Sequence, residues 1–220
     1  MQCGLFGKLP SKRDFVSYNM SRPFLENWEN WLQAAIAESK LVLGERWQSL
    51  FLTAPIWRFW VGEKVFGQTA VGAIMPSVDG IGRYFPLCLC AIETVGTRLL
   101  PPPRDDLNQW LESAEQLLLQ LLNDNATLDI PTVLRDFPFP PTTPAQAVGA
   151  NMGKITNWTA TSHSLQNGFS ALEAHDASQL LANRGFWWTH GGNTSVEQLI
   201  TSQGQPGPSF LANMISASFN

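Results

Sequence analysis

From Ser21 to Gly44 apolar side chains return every three or four positions. Phe24, Trp28, Trp31, Leu32, Ala35 and Ile36 share one face, while Glu26, Glu29, Gln33 and Lys40 take the other. That period predicts an amphipathic helix, opened by Ser21 and Pro23 and ended by Gly44. A second stripe of Leu107, Trp110, Leu111, Ala114, Leu117, Leu118, Leu121 and Leu122 predicts a helix over 104–124, capped by Asp105 or Asp106 and broad enough to face a sheet. Elsewhere the period shortens. Met1–Leu9 reads as a short strand, and "APIWRFWVG" and "GQTAVGAIMP" as two more, rich in aromatic and β-branched residues and bounded by Gly and Pro. "RYFPLCLCAIE" is apolar at both parities, which suits a central strand beginning only after Pro86.

The pattern is less regular towards the C-terminus. The triple proline Pro101–Pro103 is a rigid spacer, and the stretch from about 130 to 146, with prolines 131, 138, 140, 141 and 144, reads as an ordered or semi-ordered connection. "GFWWTHGG" reads as a last strand, followed by two short helices, "SVEQLITSQG" and "PSFLANMISA". No internal repeat is visible. Strands first, then helices, then a late strand predict helix layers around a mixed sheet, not a βαβ series.

Composition narrows the functional classes. The chain has 220 residues, 44% of them hydrophobic, which is enough for one sizeable core, and 1–220 is read as one domain. Nine tryptophans and thirteen phenylalanines beside only 15% charged residues are a heavy apolar load, of the kind often shared with a partner. The formal net charge is −4, and no basic run exceeds Lys12-Arg13, which argues against nucleic acid and an anionic membrane surface. Cys3, Cys88 and Cys90 form no disulfide framework, and Cys88 and Cys90 point to the same face of one strand. With no apolar stretch of about 18 residues and no signal pattern at the N-terminus, a cytoplasmic protein is expected.

No metalloprotease, zinc, P-loop, serine-hydrolase or calcium motif occurs, and His163, His175 and His190 lack ligand spacing, so neither metal nor cofactor is expected. Two loops carry the richest polar chemistry. "LPSKRDFV" offers Lys12, Arg13 and Asp14, and "PSVDGIGR" offers Ser77, Asp79 and Arg83. Asp79-Gly80 is a strong turn signal, so Asp79 is read as a clamp accepting hydrogen bonds within its own turn. For Arg13 and Arg83, loop bracing and partner contact stand side by side. Adjacent Trp187 and Trp188 project to opposite faces of one strand, so one of them meets solvent, a helix or a partner. An enzyme of hydrolase or phosphatase type would instead combine Asp79 and Arg83 with a histidine or cysteine, in one concave pocket.

Six blocks, "FGKLPSKRDFV", "FLENWENWLQ", "LGERW", "APIWRFWV", "PSVDGIGRYFPL" and "FWWTHGG", stand in an order and spacing that resembles the TagF family of type VI secretion system-associated proteins. The resemblance runs from Gly4 to Glu93 and returns at Phe186–Gly192. The family pattern has "SRGDF" where this chain has Ser11-Lys12-Arg13-Asp14-Phe15, so Asp14 matches and a bulky cation replaces a glycine. The resemblance implies a bacterial cytoplasmic accessory factor with no established catalytic residues. It also implies a post-translational repressor of type VI secretion that binds a forkhead-associated scaffold protein, with no small-molecule substrate. Its implied fold, joined to the pattern above, is a three-layer α/β/α sandwich around a mixed, largely antiparallel sheet. Partner-binding or loop-bracing roles are expected of Arg13, Asp14, Asp79, Arg83, Trp187 and Trp188.

Overall fold

The computed structural model describes residues 2–123, 128–144, 150–152, 155–157, 165–191 and 196–216. In chain order it runs β1 (Gln2–Gly7), β2 (Val16–Tyr18), α1 (Arg22–Leu43), a 3-10 turn (Gly44–Arg46), α2 (Trp47–Thr53), β3 (Trp57–Val61) and α3 (Glu63–Phe66). There follow β4 (Ala70–Met75), β5 (Leu87–Ile92), β6 (Thr97–Leu99), α4 (Asp105–Asn123), α5 (Ile130–Asp136) and β7 (Thr142–Pro144). The last elements are β8 (Ala150–Met152), β9 (Ile155–Asn157), α6 (Leu165–Ala182), β10 (Arg184–Thr189), β11 (Gln198–Gln203) and α7 (Phe210–Ser216).

Seven strands form one sheet in the order β11-β10-β3-β4-β5-β1-β2, and each described ladder in it is antiparallel, so the expected mixture contains no parallel pair. β3, β4 and β5 are buried at every position because both faces are covered. On one face Phe59, Val61, Ile74, Cys88, Cys90 and Trp187 pack with α1, α2, α3 and α7. On the other, Leu5, Trp60, Val71, Leu87 and Leu89 pack with α4 and α5. The result is the α/β/α sandwich, with an apolar layer on each side of the sheet. The two long helices lie where their stripes predict, and Trp28 and Trp31 are core residues. Ser21 differs in detail: its hydroxyl donates to Gln68 rather than capping α1.

Several stretches depart from expectation, among them β2, in a segment expected to be a polar loop, and α6, which carried no expectation. Residues 198–203 form strand β11, paired antiparallel with β10, rather than a helix. Val196, Leu199 and Ile200 fit a helical spacing locally, but a free ladder of hydrogen bonds along β10 decides the outcome. The proline-rich connection begins with helix α5, because Pro131 sits in the first turn, where no amide donor is needed, while Ile130 and Leu134 bury against the second core layer. Helix α2, over Trp47–Thr53, carried no sequence expectation; it buries Trp47, Leu50 and Phe51.

Candidate functional site

β1 and β5 run antiparallel with Gly7 opposite Leu87, so the loop leaving β1 meets the loop entering β5 at one end of the sheet. Gly7 has φ of 139°, and a Cβ there would lie 2.1 Å from the Pro86 carbonyl oxygen, so only glycine fits the crossing. Three bonds stitch the loops together. The Ser77 hydroxyl donates to the Lys8 carbonyl at 2.6 Å, and the Gly80 N–H donates to the Lys12 carbonyl at 2.7 Å. The Arg83 guanidinium donates to the Arg13 carbonyl.

Asp79 is the hub of this junction. Its Oδ1 accepts the N–H groups of Ile81 (3.1 Å) and Arg83 (2.9 Å). Its Oδ2 accepts Lys8 Nζ (2.8 Å) and Arg83 Nε (2.7 Å). The Asp79 side chain is fully buried and that of Lys8 nearly so, while the Arg83 side chain is 52% exposed. Burial pushes the Asp79 carboxyl upward in pKa, but the Lys8, Arg83 and Ile81 hydrogen bonds outweigh it and hold the group well below the usual carboxylate range. A carboxylate with all four lone-pair directions occupied stays ionised and is a poor base or nucleophile. It is well suited to fixing the loops: Asp79 accepts hydrogen bonds within its own turn, and Arg83 reaches from that turn to the Arg13 carbonyl of the neighbouring loop.

Lys8 was not singled out in the sequence, although a lone lysine inside the apolar run Leu5–Leu9 is a signal that a charge partner lies nearby. Its ammonium also lies 5.0 Å from the centroid of the Phe15 ring. Phe15 stacks on Phe6 with centroids 5.8 Å apart and meets Phe85 edge-on at 4.8 Å, yet it remains 40% exposed. The clamp therefore presents a fixed outer surface of Phe15, Ile81, Lys12, Arg13 and half of Arg83. Asp14 is exposed beside them and accepts the Phe15 N–H at 2.8 Å.

The tryptophan pair lies elsewhere, on β10. Trp187 is fully buried, stacked on Trp28 at 6.0 Å and in contact with Trp31 and Phe59, so it is not a surface contact. Trp188 is half-buried on the other face, in an open groove with Phe186, Leu199, Pro102 and Pro103.

The hydrolase constellation does not come together among the described residues. His190 follows the last residue of β10, three strands from β5 in sheet order and so about 14 Å away by strand spacing alone, with Glu197 at 3.3 Å. His175 lies on α6, which packs on α3 and β10, and His163 falls outside the described residues. All three cysteines are buried. Burial pushes the Cys3 thiol up to about 12 and the Cys88 thiol well above its ordinary value, so both stay protonated. Ser77 is buried with its hydroxyl committed to Lys8. No group of three or more metal-ligating side chains occurs among the described residues, and no described helix is long and apolar enough to cross a membrane.

Comparison with known proteins finds relatives by sequence and by structure. The model of the TagF N-terminal domain, type VI secretion system-associated, matches residues 4–132. The crystal structure of PA0076 from Pseudomonas aeruginosa PAO1 superposes with a TM-score of 0.74 at 26% identity, covering 97% of this chain and 93% of that one. No protein with a curated description matches the sequence.

Proposed function

The chain belongs to the TagF family of type VI secretion system-associated proteins, and from that premise we propose that it is a cytoplasmic, non-enzymatic repressor of secretion that binds a forkhead-associated scaffold protein. The observation that carries a binding role is the surface held by the Asp79 clamp. Phe15, Ile81, Arg13 and Arg83 project from loops whose backbone is fixed by a buried ion pair and three cross-loop bonds. A surface already rigid in the free protein loses little entropy on docking, and Arg and aromatic residues are the usual anchors of such contacts. The same carboxylate that a hydrolase would need is committed to that structural task, which favours binding over catalysis.

The cellular test is overproduction of the protein in a bacterium carrying its own secretion apparatus. Secretion is expected to fall, and a chain carrying Arg13→Glu with Arg83→Ala is expected to lose the effect at equal abundance. Unchanged secretion on overproduction of the wild-type chain overturns the repressor role.

A further inference from the structure

The two edges of the seven-stranded sheet are finished differently. At one, β2 spans only Val16–Tyr18, and so short an edge offers little for another strand to pair with. At the other, β11 runs from Gln198 to Gln203 and reads QLITSQ. It contains no charge, proline or glycine, and its register against β10 runs without a bulge. The usual devices that keep a further strand off an edge are therefore missing from it.

The register fixes which backbone groups of β11 face outward. The Gly204 N–H donates to the Asn183 carbonyl at 2.7 Å, one step beyond the pair of Arg184 and Gln203. Antiparallel pairs alternate between bonded and unbonded, so Gln198, Ile200 and Ser202 bond to β10. The Gly62 N–H, donating to the Arg184 carbonyl at 2.9 Å, gives the same parity from the β3 side. Leu199, Thr201 and Gln203 thus turn their N–H and carbonyl groups away from the sheet, where none has a partner among the described residues. Their side chains are exposed as well, that of Leu199 at the rim of the groove holding Phe186 and Trp188. Gly204, with φ of 73°, turns the chain away after Gln203, which leaves an outward row symmetric about Thr201.

That row is its own complement. A two-fold axis perpendicular to the sheet at Thr201 sets Thr201 against Thr201 of a second copy and Leu199 against Gln203. Each of these pairs exchanges two N–H···O bonds, and Ile200 stands beside Ser202 between them. Every outward group is then satisfied, a Thr–Thr pair lies on the axis, and no like charges meet. An uncharged edge has nothing with which to select a foreign strand, whereas a second copy completes it. We propose that two copies of this chain pair antiparallel through β11, joining their sheets into one. The clamp lies by β1 and β5, towards the other edge, so each copy keeps its docking surface and the pairing is independent of scaffold binding.

The test is sedimentation of the full chain from about 1 µM to about 500 µM, a range that brackets a weak dimer. The mass is expected to rise from one chain towards two. By amide hydrogen exchange, the Leu199, Thr201 and Gln203 N–H groups are expected to become protected only at the concentrated end. Thr201→Lys places two cations face to face on the axis, and Thr201→Pro removes an outward N–H that the fold does not use. Each is expected to weaken pairing about tenfold or more, with an unchanged melting temperature at the dilute end. A monomer at every concentration, including one whose β11 amides become protected only when another protein is added, overturns the proposal. So does a dimer that both variants leave undiminished, or one in which the outward amides stay unprotected.

Discussion

At Asp79 a single side chain decides the shape of two loops. Asp79→Ala leaves Lys8, whose side chain is almost wholly buried, without its carboxylate, and removes the acceptor for two backbone N–H groups. The variant is expected to melt at a clearly lower temperature than wild type at pH 7, measured by calorimetry. Because the folded-state pKa is depressed, the stabilising contribution of Asp79 is fully present above the unfolded value of about 4 and is lost as pH falls below it. The gap in melting temperature between wild type and variant should therefore narrow on acidification through that range, and a gap that widens contradicts the clamp. Asp79 was legible in the sequence because Asp-Gly is a local turn signal. Its partner Lys8 was not, since it lies 71 positions away and only the β1–β5 register brings the two together.

Helix α1 shows how much a stripe can carry. Trp28 is fully buried with ring contacts to Phe24, Trp31, Phe59, Phe66 and Trp187. Trp28→Ala is expected to cost about 3–5 kcal/mol, comparable with a large share of a domain's net stability. Its indole N–H has no partner among the described residues, so Trp28→Phe keeps most of the apolar contact while removing an unpaired buried donor. Denaturant unfolding should therefore rank Phe far closer to wild type than Ala; equal losses would show that the N–H is satisfied in solution. The helices were readable because their periodicity is local. Strand β11 was not, because Val196, Leu199 and Ile200 carry a helical spacing and only the distant β10 edge makes the segment extended. The same holds for Trp187 and Trp188: the alternation was plain, but which of them faces the aromatic core depends on the register of β10 against β3.

Across the whole molecule the match to the TagF N-terminal domain ends at residue 132, yet the sheet does not. β10 lies directly beside β3, and Trp187 fills the space between Trp28, Trp31 and Phe59. A chain ended at residue 132 would expose those rings and the open edge of β3, so it is expected to lose cooperative thermal unfolding and to aggregate. A soluble, cooperatively melting fragment would show that the first 132 residues hold their own core. The central claim concerns the surface that this core supports, and association of the purified chain with the proposed partner, a forkhead-associated scaffold protein of the same secretion system, tests it most directly. A complex is expected at concentrations below tens of micromolar. Arg13→Glu is expected to weaken it about thirtyfold or more, the loss of roughly 2 kcal/mol typical of a hot spot, with an unchanged melting temperature because the Arg13 side chain is exposed. Failure of the wild-type proteins to associate at tens of micromolar would contradict the account.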